Sequence, residues 1–174
     1  ARAERVTREG TDGPITVTLA DGRELTGDEL LVAVGRQAPT DDLGLATVGV
    51  EPGRGGFIEV DDRLRVPGHD WLYVVGDANG RSLLTHQGKY QARLVGDALA
   101  DVDVDPAWAD DHAVPRVVFT DPQVAAVGLT ERAARDAGHD VLAVSYDVGH
   151  TAGGALFGQD TSGTAQLVID RERR

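Results

Sequence analysis

A chain of 174 residues, 41% hydrophobic and 26% charged, can bury one ordinary core or two small ones and is too apolar to be disordered. A net charge of −12 argues against nucleic acid or an anionic membrane surface as the main partner. With no cysteine the chain can hold no disulfide framework, thiolate nucleophile or Cys-ligated metal, and no apolar run approaches the ~20 residues of a membrane span.

The chain opens on ARAERVTREG, without Met, and no signal peptide is visible. A cytoplasmic location is expected. Residues 15–19 (ITVTL) are β-branched and nearly alternating, which predicts a strand. Ala20-Asp21-Gly22-Arg23 carries the Asp-Gly pair that suits a two-residue type I′ hairpin turn, with a return strand over 23–26. Residues 30–34 (LLVAV) are continuously apolar, the pattern of a strand buried on both faces. That run ends at Gly35-Arg36. Residues 37–56 are rich in Pro, Gly and Asp and read either as a crossing segment with at most a helical turn or as a plain linker. A short strand is expected at 57–60.

Residues 71–100 (WLYVVGDANGRSLLTHQGKYQARLVGDALA) organise the rest. An apolar run breaks at Gly76-Asp77, loops, and becomes helical from about residue 84. In an open α/β sheet, ligands bind where strands end and helices begin. The helix start offers N–H groups and partial positive charge, and a carboxylate there accepts hydrogen bonds from ligand hydroxyls. Leu84, Tyr90, Ala92, Leu94, Val95, Ala98 and Leu99 form an imperfect helical stripe, interrupted by Gly88 and Gly96. Glycines inside a helix cost roughly 1 kcal/mol each against Ala and can admit a close backbone approach.

Residues 101–113 (DVDVDPAWADDHA) read as an acidic linker and a domain boundary. Strands are expected at 114–119 and 123–129. Thr130 caps a helix over 131–137 and Gly138 stops it. Two further strands, at 141–146 and 164–170, are separated by a loose glycine segment at 152–155. The order β-β-α-β-β predicts an antiparallel α+β layer. Because the chain stops just after a strand, at Arg171-Glu172-Arg173-Arg174, it is expected to be a fragment.

Three stretches, in order, carry a family resemblance. Residues 31–40 (LVAVGRQAPT), residues 72–86 with Gly76-Asp77 and His86 nine positions after the Asp, and residues 117–131 (VVFTDPQVAAVGLTE) resemble the flavoprotein disulfide reductases, the pyridine nucleotide-disulfide oxidoreductase group. The run LLTHQGKYQAR leans toward the mercuric reductase and dihydrolipoamide dehydrogenase-like branch. The resemblance implies an α/β plus α+β chain in three parts. Residues 1–36 would end an NAD(P)-binding domain, 37–108 would form a central FAD-contacting region, and 109–174 a truncated antiparallel dimerisation domain.

It implies cofactor contacts at Gly35, Gly76, Asp77, Ala78, Leu83, Leu84, Thr85 and His86. Asp77 would accept a ribityl hydroxyl of FAD, against the plainer reading of a turn Asp that caps its own backbone. The backbone at Leu83, Leu84, Thr85 and His86 would stabilise negative charge on the flavin pyrimidine edge, with His86 acting through its backbone. Gly35 would lie beside NAD or NADP, or simply end a strand. The family's acid–base His lies in a later His-Pro motif, so no catalytic residue and no metal ligand is assigned, and His69, His112, His139 and His150 read as surface residues.

The family's Gly-x-Gly-x-x-Gly, its Cys-x-x-x-x-Cys and its His-Pro segment are missing from the sequence. The expected parent is therefore an enzyme, an FAD-dependent oxidoreductase moving hydride from NAD(P)H to flavin and on to a disulfide or another acceptor. The chain alone would be inactive and would hold FAD weakly or not at all. A homodimer through 109–174 is expected, with no nucleic acid and no membrane as partner. The competing reading is a non-catalytic dimerisation or interaction module derived from the same family.

Overall fold

The computed structural model describes residues 1–158 and 161–173. Gln159, Asp160 and Arg174 fall within the expected dimerisation segment and lie outside the described residues. The architecture is mixed α and β, and every strand pairing among the described residues is antiparallel. The chain divides into two compact units, Ala1–Gln37 and Ala38–Arg174. No helix among the described residues is long and apolar enough to cross a membrane.

The first unit is a three-stranded sheet of β1 (Ala3–Arg8), β2 (Ile15–Leu19) and β3 (Glu24–Gly27) in the order β1-β2-β3. The sequence predicts β2 and β3 but not β1, whose partner residues on β2 include Val17 for Val6 and Thr16 for Thr7. The β2–β3 turn differs from the expected type I′. Leu19 N–H donates to Arg23 O (2.8 Å), Gly22 N–H donates to Leu19 O (2.9 Å), and Gly22, not Asp21, has positive φ. This is a three-residue loop with Gly in the left-handed position. Asp21 instead keeps ordinary backbone and accepts from the N–H and Nε of Arg23 (3.2 and 3.0 Å). The expected strand at 30–34 does not form. Its residues are unpaired and exposed, Leu31 at 90% and Val34 at 91%: they join neither open edge of the β1-β2-β3 sheet, and no layer of this unit covers them.

The second unit centres on Val50, Ile58 and Val66, packed by Leu45, Val48, Val60, Leu72 and Val74. Residues 37–56 carry two 3-10 turns, Leu45–Val48 and Arg54–Gly56, as expected of a crossing segment. The strand expected at 57–60 is extended but unpaired in a sheet, with Ile58 N–H donating to Ala78 O (2.9 Å). Residues 71–75 form a minimal antiparallel pair: Val66 N–H donates to Leu72 O (2.9 Å) and Val74 N–H to Leu64 O (3.1 Å). A 3-10 turn (Gly76–Asn79) then leads to helix α1 (Thr85–Leu99).

The stretch expected as a linker is not a free tether. It carries a short helix, α2 (Ala109–His112), with Ala107 and Asp110 buried. Beyond it come β4 (Arg116–Val118) paired with β5 (Val124–Ala126), then α3 (Glu131–Asp136), β6 (Val141–Asp147) and β7 (Thr164–Asp170). Thr130 Oγ1 accepts from Ala133 N–H (3.2 Å), the expected cap. The β6–β7 pair runs in register from Val141 opposite Asp170 to Asp147 opposite Thr164. The glycine segment expected to be loose is instead helix α4 (Ala152–Phe157), capped by Thr151 Oγ1 accepting from Gly154 N–H (3.0 Å). His112 and His150 are exposed as expected. His69 and His139 are half-buried, His69 Nε2 donating to Val48 O (2.7 Å) and His139 Nδ1 lying 3.1 Å from Asp170 Oδ2.

Candidate functional site

Gly76 turns the chain at φ +72°, beyond the reach of most side-chain-bearing residues, and sits directly on the first turn of α1. The contact is backbone to backbone. A Cβ built on Gly88 would come within 3.2 Å of the Gly76 Cα, so Gly88 is what permits the approach. Leu84 has extended backbone at the start of α1 and supplies no side-chain cap. Its carbonyl takes the first helical bond, from Gly88 N–H (3.1 Å). The N–H groups of Thr85, His86 and Gln87 have no acceptor within the helix, the general condition of a helix start.

The expected site residues distribute as follows. Asp77 is exposed at the head of the turn, and its carbonyl accepts from Gly80 N–H (3.1 Å). Gly76 and Ala78 are half-buried, Ala78 tied to Ile58 through its carbonyl. Leu83 and Leu84 are half-buried, while Thr85 and His86 are exposed. His86 Nε2 lies 2.9 Å from the Pro115 carbonyl, which can only accept, so Nε2 donates. That side chain is engaged with the segment leading into β4. Gly35 belongs to the first unit, where it is exposed with φ +104°.

Beneath this surface lies a polar network that the sequence reading missed. Gln91 is completely buried. Its Oε1 accepts from Gly76 N–H (2.7 Å) and Asn79 Nδ2 (2.9 Å), and its Nε2 donates to Asp110 Oδ2 (2.8 Å). Asn79 Nδ2 also donates to Val74 O (3.0 Å), and Asn79 Oδ1 accepts from Arg81 N–H (3.0 Å). Gln87 Nε2 donates to Asp110 Oδ1 (3.0 Å). The Arg81 guanidinium lies 3.9 Å from Asp110 Oδ2 and 2.9 Å from Asp62 Oδ1.

The helical stripe over 84–99 looked imperfect because its missing members are Gln87 and Gln91. With them, positions 84, 87, 88, 91, 94, 95 and 98 run down one face at helical spacing. Two glutamines four residues apart within such a face were the available signal. The arrangement leaves an exposed Asp on a turn packed against a helix start that no side chain caps.

Most of the chain is similar to known proteins. The family model for the pyridine nucleotide-disulphide oxidoreductases matches residues 1–92, and that for their dimerisation domain matches residues 114–174. A dihydrolipoyl dehydrogenase from Geobacillus stearothermophilus is 38% identical over 169 residues, covering 94% of this chain and 34% of that protein. One from Halobacterium salinarum is 35% identical, covering 93% of this chain and 34% of its own. Among solved structures, LpdA from Mycobacterium tuberculosis superposes with a TM-score of 0.80 at 28% identity, over 98% of this chain and 36% of that one. The HOCl-induced flavoprotein disulfide reductase RclA from Escherichia coli gives 0.76 at 28% identity, over 99% and 38%. The chain spans about a third of the length of the curated relatives it matches.

Proposed function

This chain belongs to the pyridine nucleotide-disulphide oxidoreductase family, and from that premise we propose that it supplies one side of an FAD site in an NAD(P)H-linked oxidoreductase. Residues 1–36 would close the NAD(P)-binding domain, 37–108 contact FAD, and 109–174 form part of a dimerisation domain that pairs with a second copy. A cytoplasmic location belongs to the same proposal. The single observation that carries the reading is the lock between the Gly76–Asn79 turn, on which Asp77 is exposed, and the start of α1, which no side chain caps.

On this reading the residues divide the work by chemistry. Asp77 accepts a hydrogen bond from a ribityl hydroxyl. The backbone at Leu83, Leu84, Thr85 and His86 presents donors and the positive end of the helix dipole to the flavin edge. Gly35 leaves room beside the nicotinamide nucleotide. When bound, FAD supplies the two-electron chemistry, hydride in from NADH or NADPH and electrons out to a disulfide or another acceptor. The protein's part is to bind, orient and exclude.

The test is direct. The full-length protein carrying this chain should purify yellow, and its flavin absorbance should bleach on addition of NADH or NADPH under anaerobic conditions. A preparation that is colourless and remains so after FAD is added and excess removed would overturn the proposal.

A further inference from the structure

We infer that Asp110 is a positioning residue for the cofactor turn, acting through the side-chain amide of Gln91 on the backbone of Gly76. The inference deepens the FAD reading and rests on it.

Gln91 is held at both ends by groups of fixed polarity. The Gly76 N–H can only donate, so it requires the amide oxygen. The Asp110 carboxylate accepts on both oxygens, one from Gln91 Nε2 and one from Gln87 Nε2, so it requires the amide nitrogen. Only one orientation of the Gln91 amide satisfies both ends. In that orientation Oε1 also accepts from Asn79 Nδ2, so both ends of the Gly76–Asn79 turn are tied to one buried oxygen. The Asp110 side chain has no solvent exposure and faces the Arg81 guanidinium. A buried amide matched at both its oxygen and its nitrogen, as that of Gln91 is, rigidifies what it holds, because the flipped arrangement leaves a desolvated donor facing a donor. Asp110 lies on α2, outside the cofactor turn, yet its acceptor oxygen fixes the polarity of the hydrogen bond that holds the turn against Gly88.

This polarity can be inverted and then repaired. In Gln91→Glu the new carboxylate still accepts from Gly76 and Asn79, but its second oxygen faces the Asp110 carboxylate. In Asp110→Asn alone, the oxygen still accepts from Gln91 and the new amide nitrogen can donate to a rotated Gln87 amide, so the relay to Gly76 persists. In the double variant, the amide introduced at position 110 donates to the carboxylate introduced at position 91 and accepts from Gln87. The relay is then whole again at unchanged net charge.

In full-length protein, Q91E should raise the FAD dissociation constant about tenfold, D110N should leave it within about threefold, and D110N/Q91E should return to within about threefold of wild type. A role of Asp110 that merely supports the fold would not let D110N rescue Q91E. If Q91E does not fold, recovery of both folding and FAD retention in the double variant supports the relay. Failure of D110N to rescue, or wild-type FAD affinity in Q91E, overturns it. The second readout needs no flavin. In the 174-residue chain, the Gly76 amide should exchange with solvent at least about tenfold faster in Q91E and return to its wild-type rate in the double variant. Wild-type full-length protein that takes up no FAD would sink the FAD reading alone, and the Gly76 exchange would still decide the relay. Equal exchange in all four forms would sink the relay.

Discussion

Two apolar runs in this chain end alike. Residues 30–34 and residues 71–75 each pass into a glycine with positive φ, Gly35 and Gly76, followed by a charged residue. The first run is unpaired and open to solvent. The second is hydrogen-bonded to residues 64–66 and contributes Leu72 and Val74 to the second unit's core. Composition does not separate them; a partner does. Residues 61–65 form a tight turn in which Asp61 N–H donates to Arg65 O (2.8 Å) and Leu64 N–H donates to Asp61 O (2.8 Å). That turn presents residues 64–66 as an edge, and the second run pairs with it. Backbone polar groups in an apolar run need partners before burial is favourable, and residues 30–34 take none from the open edges of the first unit's sheet.

The largest expected effect strikes the partner itself. Leu64 is fully buried at φ +65°, a backbone position that a side-chain-bearing residue holds only when its surroundings compel it. Leu64→Ala should cost about 2–5 kcal/mol of stability in urea denaturation followed by circular dichroism. A loss below about 1 kcal/mol would mean that this edge does not organise the second run.

A smaller effect is expected at Asp61, whose Oδ1 accepts from Arg63 N–H (2.8 Å) and Arg65 N–H (2.9 Å). Burial pushes this carboxyl up, but the N–H groups of Arg65 and Arg63 and the Arg65 guanidinium outweigh it and hold it below its ordinary value. A group whose folded value is depressed stabilises fully above its unfolded pKa, and that stabilisation fades as pH falls through the unfolded and then the folded value. Asp61→Ala should cost about 1 kcal/mol at neutral pH. The deficit should shrink below about pH 4 as wild type loses the same contribution. Because Asp61 is partly exposed, its pairing with Arg65 is screened and adds little. A deficit that stays constant from neutral pH down to acid would show that the carboxylate's charge is not what the turn uses.

The smallest effect is expected on the first run. Leu31→Ser should change the stability of this chain by no more than about 0.5 kcal/mol, since the side chain is in water already. In the full-length protein, where the continuous apolar pattern calls for a covered strand here, the same change should cost more than about 1 kcal/mol. Equal small effects in both would remove the parallel between the two runs.

What was legible in the sequence follows local rules. The Thr130 cap, the Gly138 stop, the strand at Ile15–Leu19 and the helix at Thr85–Leu99 each rest on short-range chemistry, and each appears where the residues put it. The three ordered motifs placed the family. Some errors fell where partners decide, others on local chemistry. Residues 30–34 read as a buried strand without a neighbour to bury them. Residues 152–155 read as loose, but Thr151 caps a helix there. The Asp-Gly turn took the three-residue form, because only Gly22 enters the left-handed region.

By itself, then, the sequence determined the family, the order of most elements and the residues proposed to face a flavin. The tertiary structure alone decided that Gln87, Gln91 and Asp110, polar residues whose default is solvent, lie under the Gly76–Asn79 turn. A glutamine is acceptable inside only when both ends of its amide are matched. Its matches here, Gly76, Asn79 and Asp110, are 15, 12 and 19 residues away along the chain. No local periodicity encodes that, because the match exists only once the helix, the turn and α2 are packed together.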